Sequence, residues 1–400
     1  MCIRDRAVVV RSLLSRNLRA SLHWPVILPS AGLLLMGVIA LSGIDLRIGG
    51  IWIGDWHLRQ LFGIAIGLAA AFVVLLVPYK TWVRHAYLLY AVNIGLLLLV
   101  MVIGSTAMGG QRWLSIGGFN FQPSELMKVT LVLTLARFIR FRSSYKTFRG
   151  LGTPFLLTLF PMALILQQPD LGTALLCMPL LFATLFVAGA RARHLALILF
   201  LGASAIVPLY HQLEPYQRRR VDGFLAQLPL VKREPKTDQE REEAAQLQRE
   251  INYQVENSKM AVGSGGVIGV GLGHGEDEAL YWVPERHTDF IFTAVCNEMG
   301  FLGALVTLAL FAWLLMSILA VATRQRDPAG RLICVGVFTL FASQAFVKMA
   351  MTVGLVPITG MTLPFVSYGR SSVVVSILAS ALVCNVAGRP SYEFGRGDFD

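Results

Sequence analysis

The feature that most limits what this chain can become is a series of apolar blocks, each about 17–25 residues long, separated by short polar breaks. A helix rises about 1.5 Å per residue, so one such block crosses a hydrocarbon core of about 30 Å. Lipid offers no partner to backbone N–H and C=O groups, and α-helices satisfy those groups internally. The blocks predict spans at approximately 26–44, 61–77, 87–104, 124–139, 153–168, 171–189, 194–210, 289–322, 332–353 and 371–387. The expected fold is therefore an all-α polytopic membrane protein of about ten transmembrane helices. Composition agrees: only 15% of residues are charged, where a soluble domain carries about a quarter.

The net charge of +11 raises the question of nucleic acid, but the basic residues sort by membrane side. With the N-terminus inside, Lys and Arg number 19 in the inner segments, Arg137 at the inner end of the fourth span included, and 4 in the short outer loops. That asymmetry follows the positive-inside rule with both termini cytoplasmic. Anionic lipid then accounts for the charge, and nucleic acid is not required. The expected organisation is a basic cytoplasmic lead over 1–25, one transmembrane domain over 26–387 and a cytoplasmic tail over 388–400. Residues 211–288 are expected to form a long extracytoplasmic loop. Cys177, Cys296, Cys334 and Cys384 fall inside spans and Cys2 in the lead, which suits apolar packing and not a disulfide framework. No short apolar stretch followed by a small-residue cleavage site stands before the first span in residues 1–25, so the first helix is expected to be its own insertion signal.

Three segments between spans stand out. The loop GSTAMGGQRWLSIGGFNFQPSE is rich in glycine and ends where Pro123 suits the first turn of a helix. The stretch KREPKTDQEREEAAQLQREINYQ has mixed charges and almost no apolar face, as in a solvated helix or flexible insertion; a partner-docking arm is the alternative. GLVPITGMTLPFVSYGRSS is apolar but broken by Pro357, Pro364 and glycines, which predicts a re-entrant or unwound segment buried in protein or lining a cavity.

Ionisable groups at membrane depth are costly, so each is a candidate for function. Glu125 and Lys128 lie three apart and share one helical face. Asp170 sits in the tight turn QQPDLGTAL, where capping of the next helix is the plainer explanation. PERHTDFIF brings Glu285, Arg286, His287 and Asp289 to the start of the eighth span, and the apolar residues after Asp289 leave its carboxylate half-desolvated unless it caps that helix. His274 and His287 with Glu276, Asp277 or Glu278 match no zinc spacing, so no metal site is assigned. The run GSGGVIGVGLGHG follows no strand and is not a dinucleotide fingerprint.

Taken in order, GQRWLSIGGFNFQPSELMK, QQPDLGTAL, YQRRR, YQVENSKMAVGSGG, PERHTDFIF and GLVPITGMTLPFVSYG resemble the SEDS family (shape, elongation, division and sporulation) across nearly the whole chain after the first span. Arg286 stands where the FtsW branch tends to have alanine, so the likeness is to the RodA branch; an FtsW-like division paralogue with the same chemistry is the near alternative. The resemblance implies a peptidoglycan glycosyltransferase that polymerises lipid II outside the cytoplasmic membrane, for cell elongation and shape. It implies as partners a class B penicillin-binding protein, membrane lipids and other elongation-complex proteins. By the same likeness the family's essential aspartate falls on Asp289, the expected general base, and its acid and lysine of the fourth span on Glu125 and Lys128. Arg112, Trp113, Asp170, Ser367 and the arginines Arg218, Arg219 and Arg220 are the expected substrate and pyrophosphate contacts. A divalent cation, magnesium or manganese, is left open.

The chemistry suits these residue types. The donor sugar leaves from undecaprenyl pyrophosphate, already a good leaving group, so cations to hold its charge and one base for the acceptor hydroxyl suffice. Guanidinium forks match paired phosphate oxygens. Displacement of an α-linked pyrophosphate inverts the anomeric carbon, with no covalent intermediate required. Three positions depart from the family pattern: Arg370 where a second glycine is usual, Lys348 where asparagine is common, and an insertion near 231–250. Rival functions are a lipid II flippase and a non-catalytic scaffold. Glu125, Asp170 and Asp289 all fall at the outer face, which favours chemistry on one side.

Overall fold

Apolar helices need one another for the few polar groups they carry, and the arrangement follows from where those groups lie. The computed structural model describes residues 22–45, 55–107, 110–116, 119–140, 142, 144–212, 253–273, 279–356 and 358–389. The helices in chain order are α1 (Trp24–Asp45), α2 (Trp56–Leu76), α3 (Tyr79–Arg84), α4 (Ala86–Ile103), α5 (Pro123–Arg140), α6 (Gly152–Gln167), α7 (Leu171–Ala188), α8 (Ala192–Gln212), α9 (253–264), α10 (Ile291–Arg324), α11 (Pro328–Thr352) and α12 (Arg370–Ala387). Among the described residues, eight helices are long and apolar enough to cross a membrane, and they match expected spans to within a few residues. The remaining two spans are helical as well. In α5 the charges Glu125, Lys128, Arg137 and Arg140 dilute the apolar character, and in α8 the apolar part is Ala192–Ser204.

The polar content of α5 explains its position: 15 of its 18 residues are buried, so its charges are shielded from lipid. It packs on α4, α7 and α11, and α11 in turn contacts α7, α10 and α12. At Gly336 of α11 an added Cβ would come within 2.8 Å of Val132, so the two central helices approach closely where glycine stands.

The glycine-rich loop after α4 is not simply a loop. It forms a three-stranded antiparallel sheet, β1 (Ser105–Ala107), β2 (Gly110–Ile116) and β3 (Phe119–Phe121), in the order β1-β2-β3. The strands are too short to stand out beside the glycines, and only GQRWLSI has the alternation of a strand.

The second glycine run has a different use. Gly300 interrupts α10 with φ 65° and ψ −161°, a conformation that strains any residue with a Cβ. The groups this break releases are taken up by the run 265–271: Phe301 and Leu302 donate to the carbonyls of Gly266 and Val267, and Val270 and Gly271 donate to those of Asn297 and Glu298. Backbone lies directly on backbone, and a Cβ at Gly269 would fall 2.1 Å from the Glu298 carbonyl oxygen.

At the end that the charge rule assigns to the cytoplasm, a buried network closes the bundle. Tyr79 Oη donates to Asp327 at 2.9 Å, Arg140 pairs with Asp327 at 3.3 Å, and Asn385 Nδ2 donates to the Val77 carbonyl at 2.7 Å. Asp327 also caps α11 through the N–H of Gly330, ahead of Pro328 in its first turn. At the opposite end, residues 353–356 and 358–369 run irregularly between α11 and α12, with Met361, Leu363, Phe365 and Val366 buried. This is the unwound segment the prolines and glycines predict. Phe365 holds φ 67°, rare for a bulky residue, and packs edge-on against Phe341 of α11 at 5.2 Å.

Candidate active site

Two polar groupings lie at the end opposite the buried Asp327 network, the end the charge rule assigns to the outside. The first forms where the sheet meets α5 and the α6–α7 turn. Glu125 and Lys128 lie in the first turns of α5, both buried, with Lys128 Nζ 2.7 Å from Glu125 Oε2. One helical turn brings them together, as their spacing predicts. Beside them, Asp170 accepts from the N–H of Thr173 at 3.1 Å and so caps α7. Its other oxygen accepts from Ser124 and Gln122, each at 3.0 Å. The carboxylate ties the α6–α7 turn to α7 and to the start of α5, and the capping explanation holds for it. Arg112 of β2 donates through Nε to the Gln168 carbonyl at 2.9 Å and through Nη2 to that of Pro169, which braces the sheet against the same turn. Trp113 is half-buried on β2, its carbonyl accepting from Ser105.

The second grouping surrounds Asp289. The turn 285–290 hangs on one acceptor, since the N–H groups of Thr288, Asp289 and Phe290 all point to the Glu285 carbonyl, and Glu285 has φ 50°. α10 starts beyond it without a side-chain cap, so capping does not account for the aspartate. Asp289 Oδ1 instead faces Lys348 Nζ of α11 at 2.8 Å. Flanking carbonyls are fixed from the irregular segment: Ser367 Oγ donates to Thr288 O at 2.8 Å and the N–H of Tyr368 to His287 O at 2.9 Å. Gln60 of α2 holds that segment in turn, donating to the Ser367 carbonyl and accepting from Gly369 N. The His287 ring stacks on Trp56 with centroids 4.1 Å apart. Burial pushes His287 below its ordinary pKa, against the opposing pull of Glu285.

The two groupings are joined through the start of α12. Ser371 Oγ accepts from the N–H of Gln122 and donates to the Asn120 carbonyl, linking β3 and α5 to the segment that fixes Asp289. Gly172 completes the fit, because a Cβ there would meet Met361 at 2.4 Å.

The sequence singled out Asp289, Glu125, Lys128, Asp170, Arg112 and Ser367, and all lie at this end. It did not find Gln60, nor that Lys348 is the partner of Asp289. Gln60 lies 307 residues from Ser367 and just ahead of the expected second span, so nothing local marks it. Arg218, Arg219 and Arg220, the 231–250 insertion and His274, Glu276, Asp277 and Glu278 lie outside the described residues. Among the described residues no group of three His, Cys, Asp or Glu side chains is gathered for a metal ion. Glu125 and Asp289 each face an ammonium group.

Comparison with known proteins places the whole chain in one context. The family model FTSW_RODA_SPOVE, described as cell cycle protein, matches residues 28–392. The chain is 35% identical over 335 residues to a probable peptidoglycan glycosyltransferase FtsW of Geobacter metallireducens, covering 83% of this chain and 84% of that one. It is 34% identical over 330 residues to the peptidoglycan glycosyltransferase MrdB of Escherichia coli, covering 82% and 84%. A solved structure described as "Structural coordination of polymerization and crosslinking by a peptidoglycan synthase complex" superposes with a TM-score of 0.75 at 29% identity, covering 91% of this chain and 97% of that one.

Proposed function

Because the chain belongs to the FTSW_RODA_SPOVE family of cell cycle proteins, we infer that it is a peptidoglycan glycosyltransferase of the bacterial cytoplasmic membrane, polymerising lipid II into glycan strands for cell elongation and shape. The observation that carries the reading is the Asp289 carboxylate, 23% exposed and carried on a turn whose His287 and Thr288 carbonyls are fixed by the segment before α12. In this reading Asp289 takes the proton of the acceptor hydroxyl as that oxygen bonds to the anomeric carbon of the donor. The bond to the pyrophosphate breaks with inversion, and the electron pair leaves with the lipid pyrophosphate. A placed base supplies about 10²–10⁴-fold in rate. Lys128 contributes positive charge near the leaving group, with Glu125 orienting it. Arg112 and Asp170, occupied by backbone and hydroxyl partners, act as struts that hold the sheet and the α6–α7 turn around the substrate. Ser367 acts in the same way on the Asp289 turn.

Polymerisation is coupled to crosslinking by a class B penicillin-binding protein; the superposed structure, described as a synthase complex that coordinates both, supports this. A division-specific, FtsW-like role with the same chemistry is the second reading, favoured by the FtsW relative at 35% identity beside MrdB at 34%. Complementation separates the two, since an elongation enzyme restores rod shape and a division enzyme restores septation. The activity itself is tested by incubating the purified protein with lipid II and resolving products by size. Glycan polymers are expected; lipid II moved across vesicles without polymer would favour a flippase.

A further inference from the structure

The reading above asks of Asp289 only that it accept a proton, and leaves Lys348 unused. Lys348 lies near the end of α11, where its side chain is 1% exposed against 23% for Asp289. An ammonium group enclosed to that degree cannot reach a lipid-linked sugar, so any influence it has on the reaction passes through the carboxylate it touches. An ammonium at membrane depth is costly and persists where it is paired and serves a function. Other charged groups near Asp289 are Glu285, Arg286 and His287 on its own segment, while Glu125 and Lys128 of the adjacent α5 pair with each other. Tyr368 approaches from the irregular segment.

We propose that Lys348 is a positioning residue for glycosyl transfer, gripping Asp289 by Oδ1 so that the second carboxylate oxygen is presented to the acceptor hydroxyl. The proposal rests on the reading of Asp289 as the base. The contact at 2.8 Å supplies what a base on a turn lacks, a rigid support from a central helix. It ties the orientation of the carboxylate to α11 and not to the loop alone. Positioning of this kind bears on turnover and leaves substrate affinity alone.

The test measures lipid II polymerisation by the purified protein carrying K348M, K348Q, K348R, D289N and the double change D289N/K348M, with kcat and KM determined separately. K348M and K348Q are expected to lower kcat about tenfold or more, within the range a base supplies, with KM for lipid II little changed. K348R is expected to recover part of the loss. Adding K348M to D289N is expected to cost nothing further, because residues that act through one another are not additive. The double variant leaves neither charge unpaired, and K348Q keeps a donor, so both remain readable if K348M is lost from the membrane. Near-normal kcat in K348Q and K348M overturns the proposal, as do losses that multiply in the double variant. Near-normal polymerisation by D289N is a separate outcome that removes the base itself.

Discussion

Ser367 donates its hydroxyl to the carbonyl of Thr288 at 2.8 Å and accepts the N–H of Leu363 at 2.9 Å, so the residue before Asp289 is fastened to the irregular segment before α12. Ser367→Ala removes both bonds and leaves buried groups unpaired, at a cost of about 1–3 kcal/mol. Thermal unfolding in detergent should show the loss, and turnover should fall with KM for lipid II nearly unchanged. A raised KM at unchanged turnover would instead make Ser367 a substrate contact.

Gly300→Ala is expected to be severe. The backbone there has φ 65°, and an added Cβ would sit 2.3 Å from the Gly269 nitrogen, with backbone on both sides. Strain and clash together place the change among the large destabilisations, above about 4 kcal/mol. The variant should be depleted from membranes or run as aggregate on size exclusion, and a well-behaved monodisperse protein would contradict the account of the broken helix.

These two residues also mark what could be read in advance. The spans were legible because an apolar block of bilayer length has one solution, and the unwound segment because Pro364 and its neighbouring glycines forbid a helix. Glu125 with Lys128 was legible because the contact is local. Gly300 was not, since a single glycine within an apolar run looks tolerable until the run 265–271 lies across it. Nor was the pairing of Lys348 with Asp289, 59 residues apart, which depends on how α11 docks against the turn before α10. The short sheet was hidden because two of its strands are only three residues long in a glycine-rich stretch.

Lys128→Ala should lose more polymerase activity than Lys128→Arg, because in the proposed reaction Lys128 serves as a cation near the leaving pyrophosphate and its donor pattern is secondary. Glu125→Gln should be the milder change. Initial rates with lipid II settle the order, and loss of turnover in Glu125→Gln with Lys128→Ala active would exchange their roles.

Sidedness follows from the distribution of Lys and Arg. Lys236→Cys, in the long segment over 211–288, should react with a membrane-impermeant thiol reagent in intact cells. Labelling only after lysis would invert the assignment of the outer end.

The most direct measurement is glycan polymerisation by purified Asp289→Asn. Asparagine keeps the shape and can still meet Lys348, but it cannot take a proton, so synthesis should fall by about 10²–10⁴-fold while the protein still folds and inserts. Near-normal polymer from Asp289→Asn would contradict the account, removing Asp289 as the base and turning attention to Glu125 and Asp170.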